Sequence, residues 1–208
     1  MSEIYQQLLA IFLGYFAIMN PIANTAVFVG LTSDMNEKEK SNVAKRSLTI
    51  TFIIIVLFAA LGKTLFNFFG ISLPALRITG GVLVFLIGYH MLHGGGSTLH
   101  SSKASDNDDD DIAISPLAVP ILAGPGTIAT TMSYSASGGW SHIIITVSVF
   151  FILCIITYYS FIFGQKILNF IGENGLKITT RLMGLILAII GTQMLIQGIV
   201  GAIKTYFL

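Results

Sequence analysis

The sequence predicts an all-α membrane protein of six transmembrane helices, arranged as two inverted three-helix repeats in which helices 1 and 4 are broken at mid-membrane. Three observations predict this class. Of the 208 residues, 54% are hydrophobic and 10% are charged, against about 25% charged residues in an ordinary soluble domain. Six apolar stretches are long enough to cross a bilayer, and the second half of the chain repeats motifs of the first half.

The six predicted spans follow from their length. A helix that crosses the hydrocarbon core of about 30 Å needs about 20 mostly apolar residues. The qualifying stretches are 5–31, 47–69, 74–93, 114–137, 140–163 and 178–203. No Asp or Glu lies inside any of these stretches. The N-terminus has no basic region followed by a small-residue cleavage site, so we expect the first span to remain as a membrane helix.

The basic residues predict an orientation. Seven of the eleven Lys and Arg residues fall in the loops after predicted helices 1, 3 and 5, and an eighth, Arg181, lies at the adjoining start of predicted helix 6. Short loops rich in these residues stay in the cytoplasm. We therefore expect a multi-pass protein of the bacterial inner (cell) membrane with both termini outside. Gly, Ser and Asp dominate the segment between the halves, which cannot form a packed core. This predicts a cytoplasmic acidic linker, 94–112, between a first repeat, 1–93, and a second repeat, 113–208.

Three motif pairs recur in the same order in both halves. They are NP (20–21) with GP (124–125), GKTLFNFFG (62–70) with GQKILNFIG (164–172), and RITGGVL (77–83) with RLMGLIL (181–187). The first and third pairs are separated by 104 residues and the second by 102. Because each repeat contains an odd number of spans, the second half should enter the membrane inverted, as in many secondary transporters.

The prolines of the first motif pair predict where the chemistry lies. Proline removes a backbone donor and disrupts a helix, and in lipid the freed groups need other partners or a wet cavity. Interrupted spans at corresponding positions of inverted halves mark the binding site of many transporters. The motifs NPIANTA (20–26) and AGPGTIATT (123–131) therefore predict a substrate site. Its predicted residues are Asn20, Pro21, Ala23, Asn24, Thr25, Gly124, Pro125, Gly126 and Thr127.

The predicted site suits a zwitterion. Exposed N–H groups at a helix start attract anions, and exposed carbonyls at a helix end attract cations. An amino acid with an uncharged side chain needs both, the N–H groups for its carboxylate and the carbonyls for its ammonium group. The absence of carboxylates from the spans fits such a substrate. For either motif alone, the alternative is a kinked helix whose small residues allow close packing. The Thr25 hydroxyl is equally suited to a bond within its own helix.

Other polar residues have simpler interpretations. Arg77 lies at the start of predicted helix 3, where its side chain can snorkel to the membrane surface. Gln193, inside predicted helix 6, fits either a helix contact or the transport path. The small residues Gly184, Ala188 and Thr192 lie four apart, which is typical of a helix–helix contact.

Four longer motifs carry a resemblance that extends over essentially the whole chain. They are NPIAN (20–24), FGISLPALRITGGVLVFLIG (69–88), PLAVPILAGPGTIAT (116–130) and TRLMGLILAIIG (180–191). In these motifs the sequence resembles the MarC family of integral membrane proteins, which includes SnatA-type transporters of small neutral amino acids. The resemblance implies six helices, a central site between broken helices 1 and 4, and glycine- or alanine-like substrates. It also implies the proton as a candidate coupling ion, for which His90 is a candidate carrier. One departure is Ala23, where the family usually has glycine.

Other functional classes fit less well. An intramembrane protease needs a nucleophile with a base or two carboxylates, and a dithiol enzyme needs two cysteines, whereas the chain has only Cys154. We therefore expect no enzymatic activity, no cofactor, no metal and no nucleic-acid partner, with membrane lipid as the surroundings. Two alternatives to amino-acid transport stay open, namely an exporter of another small metabolite or ion and a non-transporting membrane scaffold. The oligomeric state is also open.

Overall fold

The computed structural model describes residues 2–70, 72–93, 113–136 and 139–206. Within these ranges every regular element is a helix. The helices are α1 (Ser2–Met19), α2 (Pro21–Leu31), α3 (Glu37–Phe69), α4 (Leu73–Leu92), the π-wound α5 (Ala113–Leu122), α6 (Pro125–Ala136), α7 (Trp140–Ile162) and α8 (Gly164–Tyr206). The predicted linker, 94–112, lies outside the described residues.

Five segments of the described chain are long and apolar enough to cross a membrane. They are Leu8–Leu31, Glu37–Gly62, Leu73–Leu92, Trp140–Ile162 and Gly164–Thr205. The remaining predicted span, 114–137, coincides with α5 and α6, which have 10 and 12 residues. Each is shorter than the roughly 20 residues that a single helix needs to span the core. The all-helical class is therefore confirmed, with the predicted span 114–137 divided between α5 and α6 and the predicted span 5–31 divided between α1 and α2.

The helix α3 begins well before its predicted span. The prediction placed the start at residue 47, whereas the helix begins at Glu37. The side-chain oxygen of Asn36 accepts hydrogen bonds from the backbone N–H groups of Lys38 and Glu39 at 3.0 and 3.1 Å. The Glu39 carboxylate accepts the Asn36 N–H at 2.7 Å, which completes a capping box. Apolar composition identified only the membrane part of this helix and missed its capped polar extension.

The helix α8 contains a turn that the sequence prediction also missed. The predicted span starts at residue 178, whereas α8 starts at Gly164 and leaves helical geometry at Gly172, where φ is 67°. Gly70, directly after α3, has a φ of 63°. Both values lie in the left-handed region, which glycine occupies at little cost. Because these glycines end the second repeated motif pair, that motif ends on a glycine with positive φ in each half.

The helices α3 and α7 run antiparallel and connect the two halves. The hydroxyls of Ser41 and Tyr158 lie 3.0 Å apart, and the rings of Phe52 and Phe151 have centroids 5.4 Å apart. One hydrophobic cluster contains buried side chains of α1, α2, α3, α5 and α7. The two halves therefore share a core rather than packing as separate units.

Among the described helices, α4 and α8 form the most extensive contact. A methyl group at Gly88 would lie 2.5 Å from the main-chain oxygen of Gly184, and one at Gly81 would lie 2.7 Å from that of Gly191. Residue numbers rise along α4 as the numbers of the contacting residues fall along α8, so the two helices are antiparallel. Glycine is required at these points because the two backbones leave no room for a side chain.

The predicted helix–helix contact of the small residues on α8 is confirmed for two of the three residues. Ala188 joins Gly184 against α4, but Thr192 is exposed and its hydroxyl bonds the Ala188 oxygen. The contact instead continues at seven-residue intervals through Gly191 and Gly198, both of which lie against α4. A seven-residue interval keeps one face of a helix toward a single antiparallel neighbour.

Candidate functional site

The first break in the bundle separates α1 from α2 at Asn20. Its φ of 38° and ψ of 70° are left-handed, and Asn tolerates this region better than most residues. Pro21 opens α2 and has no N–H to donate to the Ala17 carbonyl, so the helical ladder is interrupted there. The side-chain oxygen of Asn20 accepts the Ala23 N–H at 3.3 Å, which caps α2.

The second break separates α5 from α6 around Gly124. The Ala123 N–H donates to the Ala118 oxygen at 2.8 Å, five residues back, which is the spacing of a π-turn. Pro125 then begins α6, and the Ile128 N–H donates to the Gly124 oxygen at 3.0 Å. Each proline therefore occupies the first position of the second helix at its break, where a missing N–H does not matter.

A side chain bridges each break. The amide nitrogen of Asn24 donates to the main-chain oxygen of Met19 at 2.5 Å. The hydroxyl of Thr127 donates to the main-chain oxygen of Leu122 at 3.1 Å. Met19 and Leu122 are the last residues of α1 and α5, so in both halves a side chain five residues later satisfies the final carbonyl of the preceding helix.

Two buried polar groups beside the breaks have no hydrogen-bond partner. The amide nitrogen of Asn20 is buried without a partner, and the residue is 4% exposed. The hydroxyl of Thr130, in a residue 1% exposed, is likewise unpaired. Leaving such a group unsatisfied costs about 1–3 kcal/mol, so each has unused hydrogen-bonding capacity; the buried hydroxyls of Thr51 and Thr146, on α3 and α7, are also unpaired.

The two breaks lie next to each other. A methyl group at Gly126, one residue after Pro125, would lie 4.0 Å from a side-chain carbon of Ile18, one residue before the end of α1. The buried hydroxyl of Tyr15 donates to the Thr131 hydroxyl at 2.7 Å. The motifs that the sequence placed 104 residues apart are therefore neighbours across the interface between the halves.

Tyr15 extends the set of residues beside the breaks beyond the sequence prediction, whereas for Thr130 the sequence left open a site role and a bond to its own helix. Tyr15 lies in an apolar run of α1, and no local pattern distinguishes it from a core aromatic residue. Its ring stacks edge-on against Phe150 at a centroid distance of 5.0 Å, while its hydroxyl reaches the second half. For Thr130 the signal was present, because it belongs to the second proline motif, but threonines commonly bond their own helix.

The remaining predicted site residues are distributed around the breaks. Pro21, Gly124 and Gly126 are buried, Ala23 is half-buried and Pro125 is exposed. Thr25 is buried, and its hydroxyl donates to the Pro21 oxygen at 2.7 Å. Its hydroxyl proton therefore serves α2 itself, which is the second of the two roles that the sequence left open.

The polar residues outside the motifs lie apart from the breaks. Arg77 is half-buried, and its Nε donates to the Ser133 hydroxyl at 3.4 Å, which connects α4 to α6 two turns beyond the second break. Gln193 is exposed on the surface of α8. Arg77 thus contacts another helix as well as lying near a helix end.

The paired breaks define the chemistry available at this point. The first turn of α6 presents backbone N–H groups that have no intrahelical acceptor, and the end of α1 presents carbonyls, including that of Ala17 opposite Pro21. The N–H groups favour an anion and the carbonyls favour a cation. Among the described residues, none of the buried positions is Asp, Glu, Lys or Arg. The arrangement suits a ligand that carries both charges with little net charge.

The long apolar helices and their shared core define a multi-pass integral membrane protein. The sequence model of the MarC family of integral membrane proteins matches residues 5–203. The chain belongs to that family. A UPF0056 membrane protein of Pyrococcus horikoshii is 37% identical over 97% of this chain and 98% of its own length. The UPF0056 membrane protein YvbG of Bacillus subtilis is 34% identical over 92% of this chain and 93% of its own length.

A third relative carries the family's name. The UPF0056 inner membrane protein MarC of Escherichia coli K12 is 33% identical over 91% of this chain and 92% of its own length. No solved structure matches the chain. The relatives therefore agree with this chain in length and in membrane location.

Proposed function

We propose that the protein is a secondary transporter of small neutral amino acids such as glycine and alanine. The observation that carries the proposal is the pair of adjacent helix breaks, which leaves the amide nitrogen of Asn20 buried without a partner. The substrate binds at mid-membrane between the two breaks. Its carboxylate faces the start of α6 and the Asn20 amide, and its ammonium group faces the carbonyls at the end of α1.

The packing around the breaks supports a small substrate. A methyl group at Gly126 would lie 3.0 Å from Cδ1 of Ile87 and 3.7 Å from Cγ2 of Val84. Little room is left on that side of the break for a large side chain. The methyl group of Ala23, which is half-buried in the first turn of α2, takes up further space at the first motif.

An inverted repeat of six spans provides the transport mechanism. In this proposal, α1 with α2 and α5 with α6 each form one broken span. The antiparallel pairs α3–α7 and α4–α8 support the inversion, because equivalent helices of inverted halves run in opposite directions. The glycine turns at Gly70 and Gly172 occupy equivalent positions and give further support. Rocking of one half against the other would expose the site alternately to the two sides.

Orientation, membrane and coupling ion complete the proposal. Both termini lie outside the inner membrane, as the distribution of Lys and Arg indicates. The proton is the proposed coupling ion, with His90 as its carrier; this residue is exposed near the end of α4.

Transport by the purified protein tests the proposal. Proteoliposomes are loaded with unlabelled glycine, and counterflow of labelled glycine and alanine is measured with no gradient, with a pH gradient and with a sodium gradient. We expect saturable counterflow of both amino acids, with net uptake driven by the pH gradient alone. Exchange of a different metabolite or ion would favour the alternative exporter, and absence of any flux from folded protein would favour a scaffold. Leucine and glutamate serve as controls for size and for charge.

A further inference from the structure

Two exposed phenylalanines occupy equivalent positions in the repeated motif. Phe68 is 81% exposed and Phe170 is 92% exposed. Each lies two residues before a glycine with a left-handed backbone, Gly70 or Gly172. We name these segments, 68–70 and 170–172, the first and second aromatic corners.

The two corners lie at opposite ends of the bundle. The first corner lies at the C-terminal end of α3. The second corner lies just beyond the C-terminal end of α7. Because α3 and α7 are antiparallel, these ends point in opposite directions. The helical segment 164–171, which joins α7 to Gly172, extends about 12 Å at 1.5 Å per residue. It is too short to return across a core of about 30 Å.

Other aromatic side chains accompany each corner. Trp140, at the start of α7, is 77% exposed and lies at the end of the bundle that holds the first corner. Tyr159 and Phe163, at the end of α7, are 55% and 48% exposed on the side of the second corner. The ammonium group of Lys166 lies 5.8 Å from the centre of the Phe163 ring. Exposed Trp and Tyr rings are enriched at the boundary between lipid headgroups and acyl chains, and Lys side chains near helix ends extend to it.

We propose that the two aromatic corners are membrane-surface anchors, each of which seats its phenylalanine at the headgroup level of a different leaflet. The partner is lipid rather than another protein. The left-handed glycine redirects the chain into the next helix, so that the phenylalanine stays at the boundary while α4 and the second part of α8 enter the membrane. The proposal concerns how the bundle is held in the bilayer and is independent of what the breaks bind.

Depth-dependent quenching of tryptophan fluorescence tests the proposal. The chain has one Trp, so Trp140→Phe gives a background without tryptophan, into which Phe68→Trp or Phe170→Trp is introduced. The matched control is Leu57→Trp, a position 51% exposed on α3 and about 16 Å along the helix from Phe68. Each variant is purified, checked for a single peak in gel filtration, and reconstituted into phosphatidylcholine with bromine atoms near the headgroup or near the chain end.

We expect both corner tryptophans to be quenched more strongly by shallow bromines and the Leu57→Trp control more strongly by deep bromines. Stronger quenching of the corner tryptophans by deep bromines would overturn the proposal, as would quenching by aqueous iodide without quenching by lipid. Quenching that increases on dilution of the protein in lipid would instead show that a second copy covers the corners.

Labelling from one side tests the assignment to different leaflets. The chain has a single cysteine, which is buried, so Cys154→Ser provides a background for Phe68→Cys and Phe170→Cys. A membrane-impermeant maleimide is added to intact spheroplasts and to inside-out vesicles. We expect one corner to react only in spheroplasts and the other only in inside-out vesicles. Reaction of both corners from the same side would contradict the proposal.

Discussion

The side-chain amide of Asn24 donates a hydrogen bond of 2.5 Å to the main-chain oxygen of Met19, the last residue of α1. The same relationship joins Thr127 to Leu122 in the second half. Each of these side chains fixes the direction in which the chain continues after its break. We therefore expect both residues to affect substrate binding through the shape of the break.

Replacement of Asn24 by Ala should weaken substrate binding. The Met19 carbonyl would be left buried without its donor, at a cost of about 1–3 kcal/mol, which corresponds to roughly a tenfold to hundredfold loss of affinity. The measurement is equilibrium binding of labelled glycine to purified protein. Thr192→Ala is the control, because that hydroxyl bonds its own helix on an exposed face. Binding and transport equal to those of the parent would show that Asn24 is a packing residue.

Replacement of Asn20 by Gly should remove a ligand without removing the break. Glycine accepts the φ of 38° found at this position, but it lacks the unpaired amide nitrogen that we assign to the substrate carboxylate. We expect a loss of glycine affinity of roughly tenfold to hundredfold, with unchanged gel-filtration behaviour. An affinity within twofold of the parent would exclude a direct contact with substrate.

Substitution of Gly126 by Val should impair transport more than Asn24→Ala does. The first added carbon would lie 3.0 Å from Cδ1 of Ile87, and the two further methyl groups would fill the space at the start of α6. The double variant Gly126→Val with Ile87→Ala separates two causes. If crowding of α4 is the cause, the second change restores counterflow, whereas obstruction of the substrate position leaves counterflow absent. We expect the second result.

Substitution of Gly191 by Val should reduce stability without acting at the site. A side chain there would meet the backbone nitrogen of Phe85 across the α4–α8 contact, so the helices would have to separate. The expected result is a lower midpoint of thermal unfolding in detergent, measured by scanning fluorimetry. Gly30→Val is the matched control, because a side chain at Gly30 meets nothing within 4 Å. Equal midpoints for the two variants would contradict close backbone packing.

Reporter fusions should place both termini outside the inner membrane. Eight of the eleven basic residues are predicted to lie on the opposite face, so a reporter fused after Leu208 should be active only if it works in the periplasm. The measurement pairs alkaline phosphatase with green fluorescent protein at the same fusion point. Fluorescence without phosphatase activity would reverse the orientation.

The helix boundaries at Pro21 and Pro125 could be predicted because proline acts on its own backbone. Pro21 and Pro125 lack a backbone N–H donor whatever their surroundings, so their effect on a helix can be predicted from the sequence alone. The boundaries of α3 and α8 were less accurate, because helices continue past the apolar stretch when a capping box or a glycine turn permits it. Asn36 and Gly172 are examples of these two local causes.

The side-chain contacts around the two helix boundaries were much harder to predict than the boundaries themselves. The bond from Tyr15 to Thr131 joins residues 116 positions apart, and nothing in either local sequence indicates the other. The engagement of Asn24 with Met19 depends on the left-handed turn at Asn20, which the sequence favours but does not require. The sequence therefore shows which polar side chains lie at the breaks. Which of their donors and acceptors already have hydrogen-bond partners depends on the folded backbone and could not be predicted.

The glycine contact between α4 and α8 has a consequence for biosynthesis. Gly88 and its partner Gly184 are separated by 96 residues of chain. At a translation rate of about 5–20 residues per second, α4 leaves the ribosome roughly 5–20 s before the surface that covers it. During that interval its glycine face lacks the helix that covers it in the folded protein. The nascent protein therefore completes the α4–α8 pair last, and a ribosome that stalls before α8 yields a chain in which the glycine face of α4 has no partner helix.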